Sequence, residues 1–310
     1  MQPISVSIIL VCYNTRELIL RCLSSIYEKV KGFNFEVIVF DNNSQDGSAD
    51  AIEAQYPQVK LIRSTRNLGF GAGNNRASEQ ANGRYLLLLN PDTLVKNGTI
   101  ETLVEYAENH PEGGAWGGVC ELPDGSVDPG CRQILPGIKS RFKDLFCIAS
   151  RAVAHMDRNE DFEGEVQVLS GAFMMLRTNV WRELGGFDES FKLYSEDTDL
   201  CYRMHKAGYK VLMTGKSRII HNSGSGELDN PKQTLNMVRG AMHFYRKHYS
   251  VLGATIAGIL IWLFILRQIV GSYMLQPFVQ SDRCISVRRR FSQVAFCPGE
   301  WWYGWKERKL

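Results

Sequence analysis

Acids and amides recur where apolar runs end, and those positions are where chemistry is expected. Asp41 closes VIVF, Asn90-Pro91-Asp92 follows LLLL, and Glu196-Asp197-Thr198-Asp199 follows GGFDESFKLYS. A carboxylate at Asp41 can accept a hydrogen bond from a base imide N–H or a ribose hydroxyl, or it can form an Asx turn before the next helix. Asp92, at the end of a buried strand, suits a hard cation such as Mg²⁺ or Mn²⁺, which keeps several waters and bridges a substrate diphosphate through one or two carboxylates. The same tripeptide also suits a plain turn. Glu196 and Asp197 open a helix, where the macrodipole favours acids and Ser195 can cap, and an acid pair there can equally supply a general base. His221, in RIIHNSGSG, reads as a structural histidine or as a site residue ahead of a polar loop, 224–231, able to close over a ligand. NLGFGAGNN (Asn67–Asn75) lets the backbone approach a ligand closely. It lacks the GxGxxG spacing and does not directly follow the first strand, which argues against a dinucleotide enzyme.

The elements that must hold these residues alternate. SVSIILVC, FEVIVF, Val59–Arg63 and Tyr85–Leu89 read as strands. Between them Arg16–Lys29, Ser48–Tyr56 and Gly71–Ala81 carry helical spacing. Continuous apolar, β-branched strands separated by helices indicate an α/β fold with a mainly parallel central sheet flanked by helices. Ligand sites in such sheets lie beyond the carboxyl ends of the strands, where Tyr13-Asn14, Asp41-Asn42-Asn43 and Asn90-Pro91-Asp92 all fall. Residues 123–165, rich in Pro and Gly, read as a mobile connection or an acceptor-side insertion, Glu196–Ala207 as a helix, and Tyr209–Met213 as a strand.

The 310 residues, 44% hydrophobic and 22% charged, describe an ordinary globular chain rather than a disordered one. The net charge of +3 hides an asymmetry, since residues 246–310 carry +7 and the rest −4. A basic tail meets something anionic. Here it is joined to the uncharged run Val251–Leu266, extendable past Arg267 to Leu275, and to the Trp301-Trp302-Tyr303-Trp305 cluster. Rings and basic residues together favour a membrane interface over nucleic acid, with a buried helix or a true span as the alternatives. No two of the eight cysteines form a CxxC pair, and no signal peptide opens the chain, so a reducing, cytoplasmic location is expected, at the inner face of the cell membrane.

Taken in order, SIILVCYNT, VIVFDNNSQDGS, NLGFGAGNN, LLLLNPDT, GAFMMLR, GGFDESFKLYSEDTDLCYR and RIIHNSGSG resemble the family 2 glycosyltransferases of the GT-A fold, and within them the bacterial rhamnosyltransferases of cell-surface polysaccharide synthesis. The resemblance covers about residues 5–226. It implies a catalytic domain over 1–226, with a nucleotide-binding half at about 1–118 and an acceptor half at about 119–226, followed by a helical, basic and aromatic region over 227–310. It also implies an inverting, metal-dependent transfer from a nucleotide-sugar, possibly dTDP-rhamnose, to a glycan or polyprenyl-linked acceptor. Tyr13, Asn14 and Asp41 would hold the nucleotide. Asn67, Gly71, Asn74, Asn75 and Asn90 would line the pyrophosphate and donor sugar, and Gly171 and Ala172 would lie near the acceptor. Asp92 and His221 would hold Mg²⁺ or Mn²⁺, the first acid of the family's DxD element being Asn90 here. Asp197 would be the base, with Glu196 in support. Two rivals differ in kind. A sugar nucleotidyltransferase would carry a Gly-rich, Arg-containing loop where Cys12-Tyr13-Asn14 stands, and a non-catalytic nucleotide-sugar binder would not need Asp92, Asp197 and His221.

Overall fold

The computed structural model describes residues 4–128, 130–146, 162–222, 230–276 and 281–305. It divides into two compact units. The first takes residues 1–135, 155–189 and 197–223, and the second takes 136–154, 190–196 and 224–310.

The first unit is built on β1 (Val6–Cys12), β2 (Phe35–Asp41), β3 (Lys60–Arg63) and β4 (Tyr85–Leu89), joined by helices α1 (Arg16–Lys29), α2 (Ser48–Gln55) and α3 (Phe70–Ser78). Every residue of β1 and β4 is buried, as their unbroken apolar runs require. The order β3-β2-β1-β4 is parallel throughout. The sheet then continues through β10 (Phe173–Arg177), β6 (Gly113–Glu121), β11 (Lys210–His221) and β5 (Thr93–Val95), while β8 (Glu163–Glu165) pairs with β11. A short second sheet pairs β7 (Arg132–Gln133) with β9 (Val168–Leu169).

This half of the main sheet is mixed. β11 runs parallel to β6, but β10 is antiparallel to both β4 and β6, and β5 and β8 are antiparallel to β11. The reversal at β10 has a consequence for the site: it brings the start of that strand to the carboxyl end of β4, with Phe173 opposite Leu89. Helices α4 (Thr99–Asn109), α6 (Thr178–Leu184) and α7 (Glu196–Lys206) complete the described helices of this chain segment. Gly73 is where α3 meets the sheet, since a Cβ there would lie 2.9 Å from Val11 Cγ1 and 3.2 Å from Phe40 Cδ1.

The second unit holds α5 (Ile138–Leu145), the segment Ser190–Glu196, α8 (Pro231–His248), α9 (Val251–Leu275), α10 (Ser281–Phe296) and a 3₁₀ turn at Pro298–Glu300. Asn230 caps α8 by accepting from the Lys232 and Gln233 amides, and Pro231 stands in its first turn. α9 is one unbroken helix of 25 residues, long and apolar enough to cross a membrane by length and composition. It continues through Arg267 because that guanidinium donates to the Leu145 carbonyl on α5 at 2.6 Å. Small and branched residues of α9 (Ala254, Ala257, Ile261, Ile265, Ile269) pack into a core with Met242, Tyr245, Phe291, Val294 and Trp301. On its opposite side the apolar residues Leu252, Ile256, Ile259, Leu263, Val270 and Met274 are exposed, with Arg267 half-buried among them.

Candidate active site

The site grows from the carboxyl edge of the parallel half-sheet. Parallel pairing puts Cys12 beside Asp41, so the loops leaving β1 and β2 emerge together. Asn14, in the left-handed region at φ 51°, accepts from the Gln45 amide through Oδ1 at 2.7 Å, and its own amide donates to Ser44 Oγ. Tyr13 beside it is 48% exposed and available to stack on a planar ligand. Asp41 is buried. Its Oδ2 accepts from the Ser44 amide at 3.2 Å, whereas Oδ1 has no hydrogen-bond partner among the described residues. A buried carboxylate oxygen without a donor costs free energy, and a base or ribose donor would satisfy it.

The next loop is tied to this edge by Asn42, which accepts from the Leu68 amide at 2.7 Å and donates to the Gly69 carbonyl at 3.2 Å. Asn67 closes an Asx turn onto the Gly69 amide, and Gly69 takes a φ of 90° before α3 begins. Gly71 and Asn74 lie buried in the first turns of α3. Asn74 donates to the Phe70 carbonyl, while Asn75 donates to the Phe187 carbonyl and accepts from its amide. Both amide side chains are thus engaged within the protein, Asn75 as a lock between α3 and the Gly186–Phe187 turn.

Asp92 and His221 come together because β5 and β11 pair with Thr93 opposite His221, and the Asn222 amide donates to the Asp92 carbonyl. His221 Nε2 stands 3.4 Å from Asp92 Oδ1 and 3.4 Å from Asn90 Nδ2. On the other side of the ring, Nδ1 donates to Asp128 Oδ2 at 3.0 Å. Asp128 is itself buried and accepts the Gly130 amide through Oδ1. Burial opposes a charged imidazole here, but Asp128 and Asp92 outweigh it and raise the His221 pKa to about 9.

The donor set fits a divalent cation. One carboxylate and one imidazole face each other at a separation slightly wider than the ~3 Å between neighbouring ligands at ~2.1 Å from an ion. The second ring nitrogen is held by a carboxylate, as ligating histidines commonly are. Asn90 Oδ1, buried and without a partner among the described residues, adds a further oxygen. No group of three or more His, Cys, Asp or Glu able to hold a metal occurs among the described residues, so water and diphosphate oxygens would complete the shell. Beside Asp92 opens a pocket of 310 Å³ lined by Leu18, Arg21, Thr93, Leu94, Pro123, Ile220 and Asn222. The Arg21 guanidinium in its wall suits a phosphate.

The antiparallel entry of β10 supplies the remaining part. The Asn90 amide donates to the Ala172 carbonyl at 3.1 Å, and the Gly171 amide donates to Asp197 Oδ2 at 3.3 Å. Asp197 Oδ1 accepts from the Thr198 amide at 2.7 Å. Burial nevertheless pushes the Asp197 carboxyl above its ordinary value, as a general base requires. Asp199, completely buried, instead forms an ion pair with Arg203, which ties α7 to the Leu184 and Gly186 carbonyls. Glu196 is buried and belongs to the second unit, where its charge helps raise the Tyr194 hydroxyl pKa, burial being the larger cause. Tyr194 and Ser195 before it both sit at positive φ, 67° and 70°. Such conformations are costly for residues with side chains and cluster at functional sites.

The first unit therefore gathers Asp41, Asn90, Asp92, Gly171, Ala172, Asp197 and His221 along one sheet edge. Sequence reasoning missed Asp128 and Arg21. Asp128 lies in an irregular, turn-rich stretch that gave no signal, and Arg21 is one of several charged residues on α1 with nothing in its spacing to single it out. The proposed lid, 224–231, falls largely outside the described residues.

The family model described as glycosyl transferase family 2 matches residues 7–184, and one described as glycosyl transferase family group 2 matches 140–299. The N-acetylglucosaminyl-diphospho-decaprenol L-rhamnosyltransferase of Mycobacterium tuberculosis is 31% identical over 64% of this chain and 70% of its own length. The rhamnosyltransferase WbbL of Escherichia coli is 27% identical over 49% of this chain and 60% of its own. Among solved structures, the mannosyltransferase PcManGT of Pyrobaculum calidifontis, in complex with GDP-Man and Mn²⁺, superimposes with a TM-score of 0.62 at 15% identity, covering 94% of this chain and 87% of that one. The fold is that of the GT-A glycosyltransferases, and the chain belongs to glycosyl transferase family 2.

Proposed function

We propose that this glycosyltransferase moves a rhamnosyl group from dTDP-rhamnose, with inversion at the anomeric carbon, to a hydroxyl of a sugar carried on a polyprenyl diphosphate. The observation that carries the reaction type is the placement of Asp197, a half-buried carboxylate of raised pKa, on the same sheet edge as the Asp92–His221 pair. The likeness to the Mycobacterium and Escherichia rhamnosyltransferases supports the sugar, and the diphospho-decaprenol substrate of the Mycobacterium enzyme supports the acceptor class.

Asp41 Oδ1 would accept from the base or ribose, and Tyr13 would cover the base. Asp92 and His221 would hold Mg²⁺ or Mn²⁺, with Asp128 fixing the imidazole. When bound, such an ion neutralises the charge that develops on the leaving diphosphate. Arg21 would meet the same charge from the pocket wall. Asp197 would take the proton of the acceptor hydroxyl as that oxygen attacks the anomeric carbon from the face opposite the diphosphate. One displacement of this kind inverts the centre and needs no covalent sugar–enzyme link. The Gly171 and Thr198 amides hold the Asp197 carboxylate in place while it waits for that proton.

The second unit would bring the reaction to the inner face of the cell membrane. Its support is the exposed apolar stripe of α9, which runs from Leu252 to Met274 for about 33 Å at ~1.5 Å per residue. It is joined by exposed Phe142 on α5 and by Arg288, Arg289 and Arg290 on α10. The buried face of the same helix is already packed against protein, so it suits a helix lying in one leaflet.

The reading is tested by thermal denaturation with dTDP, UDP, GDP and ADP, each with and without Mn²⁺. A ligand that binds only the folded state raises the melting temperature. Stabilisation by dTDP that requires metal and is lost in Asp92→Ala is expected. Equal indifference to all four, also in lipid nanodiscs, would overturn the reading.

A further inference from the structure

A groove of 460 Å³ opens in the second unit, lined by Ile259 and Trp262 of α9 and by Pro298, Gly299, Trp302 and Tyr303. None of these residues belongs to the candidate active site. Its walls are fixed before any ligand arrives. The Trp262 indole donates to the Ala295 carbonyl at 3.0 Å, and the Trp302 ring lies so close to α9 that a Cβ on Gly258 would meet it at 3.0 Å. The groove also shares Ile259 and Trp262 with the exposed side of α9, so an alkyl chain could pass from hydrocarbon into it without crossing water.

A cation marks the groove's edge. Arg246 donates through Nε to the Trp302 carbonyl at 2.6 Å, and its guanidinium lies 4.8 Å from the centre of the Tyr303 ring. It forms no ion pair with a carboxylate among the described residues, whereas neighbouring Arg239 is paired with Glu300. An apolar channel ending at an uncompensated, immobilised guanidinium has the chemistry of a lipid with a phosphate head. A polyprenyl phosphate carries one apolar chain and one anionic head, which matches an apolar groove with a guanidinium at its edge.

We propose that this groove binds the isoprenoid chain of a polyprenyl phosphate, with Arg246 on the phosphate. The inference rests on the lipid-linked acceptor proposed above. It is tested by binding alone, without donor or transfer, so its failure leaves the nucleotide titration untouched.

The full chain in phosphatidylcholine nanodiscs is photolabelled with a diazirine-bearing long-chain polyprenyl monophosphate, and the labelled peptides are mapped. Label is expected on the peptides holding Ile259–Trp262 and Pro298–Tyr303. Unlabelled polyprenyl phosphate should compete and phosphatidic acid should not. Ile259→Trp, which fills the groove from an exposed position, should weaken binding by about tenfold or more, with an unchanged melting temperature. Arg246→Gln should weaken it by about tenfold. Equal competition by phosphatidic acid, or wild-type affinity in both variants, would overturn the inference and leave the groove as ordinary membrane contact.

Discussion

Asp128 offers the sharpest test of how the cation site is held. The carboxylate is 3.0 Å from His221 Nδ1 and the ring's Nε2 is 3.4 Å from Asp92, so Asp128 acts on the ion only through the imidazole. Asp128→Ala leaves a ring N–H, on a side chain only 10% exposed, without its acceptor. That costs about 1–3 kcal/mol of stability. Freed from its anchor the ring turns, and loss of such an outer partner lowers metal affinity about 10–100-fold, or about 1.4–2.8 kcal/mol. Asp128→Asn keeps an acceptor oxygen in the same place and should lose less. The assay is Mn²⁺ titration by electron paramagnetic resonance in the presence of dTDP. The order of affinity should be wild type, Asp128→Asn, Asp128→Ala. Adding Asp128→Ala to His221→Ala should cost almost nothing further, because the two act as a unit. If folded Asp128→Ala binds Mn²⁺ within about twofold of wild type, or if the losses in the double variant simply add, the orienting role is refuted.

Further outcomes are expected at four places. Asp197→Asn should lower transfer by at least about 10²-fold, and single-turnover assays would measure it. Because the folded-state pKa of Asp197 is raised, ionising it costs stability as pH rises through that value, so Asp197→Asn should melt higher than wild type at neutral pH; the wild-type rate should in turn fall on the acid side from a pH above the usual aspartate range. Asp41→Ala should weaken dTDP binding by about 1–3 kcal/mol, measured by calorimetry, through loss of the unpaired Oδ1 acceptor. Gly73→Val should destabilise the first unit by about 1–3 kcal/mol in urea unfolding, since its side chain would drive into Val11 and Phe40. Paired changes on the exposed face of α9, Ile256→Glu with Leu263→Glu, should abolish flotation with anionic vesicles while leaving the helix's packed face intact.

Much of the first half-sheet was legible. Four apolar runs, two of them ending directly in an acid or amide (Asp41 and Asn90), fit buried parallel strands with a ligand edge, and β1, β2 and β4 end where those runs end. The direction of β10 was not legible, because an apolar pattern encodes burial and not orientation. Yet that direction is what delivers Gly171 and Ala172 to Asn90. β11 read as Tyr209–Met213 but runs to His221, since Thr214 and Ser217 are buried polar residues that interrupt the apolar pattern. Their hydroxyls bond to Glu163 and to the Thr99 carbonyl. The resemblance implied Asn74 and Asn75 as donor contacts, and in the structure their side-chain amides donate to the Phe70 and Phe187 carbonyls, Asn75 also to Glu189. In α9 a charge at position 267 suggested an end to the apolar run, and the carbonyl on α5 that satisfies it is a tertiary feature.

The measurement that tests the central claim most directly is the stereochemical course of one turnover. The full chain in nanodiscs is given dTDP-rhamnose, Mn²⁺ and an N-acetylglucosaminyl-diphospho-polyprenol, and the product's anomeric configuration is read by nuclear magnetic resonance. The account predicts release of dTDP and a single product of inverted configuration, absent with Asp197→Asn. A retained configuration, or undiminished transfer by Asp197→Asn, would contradict it.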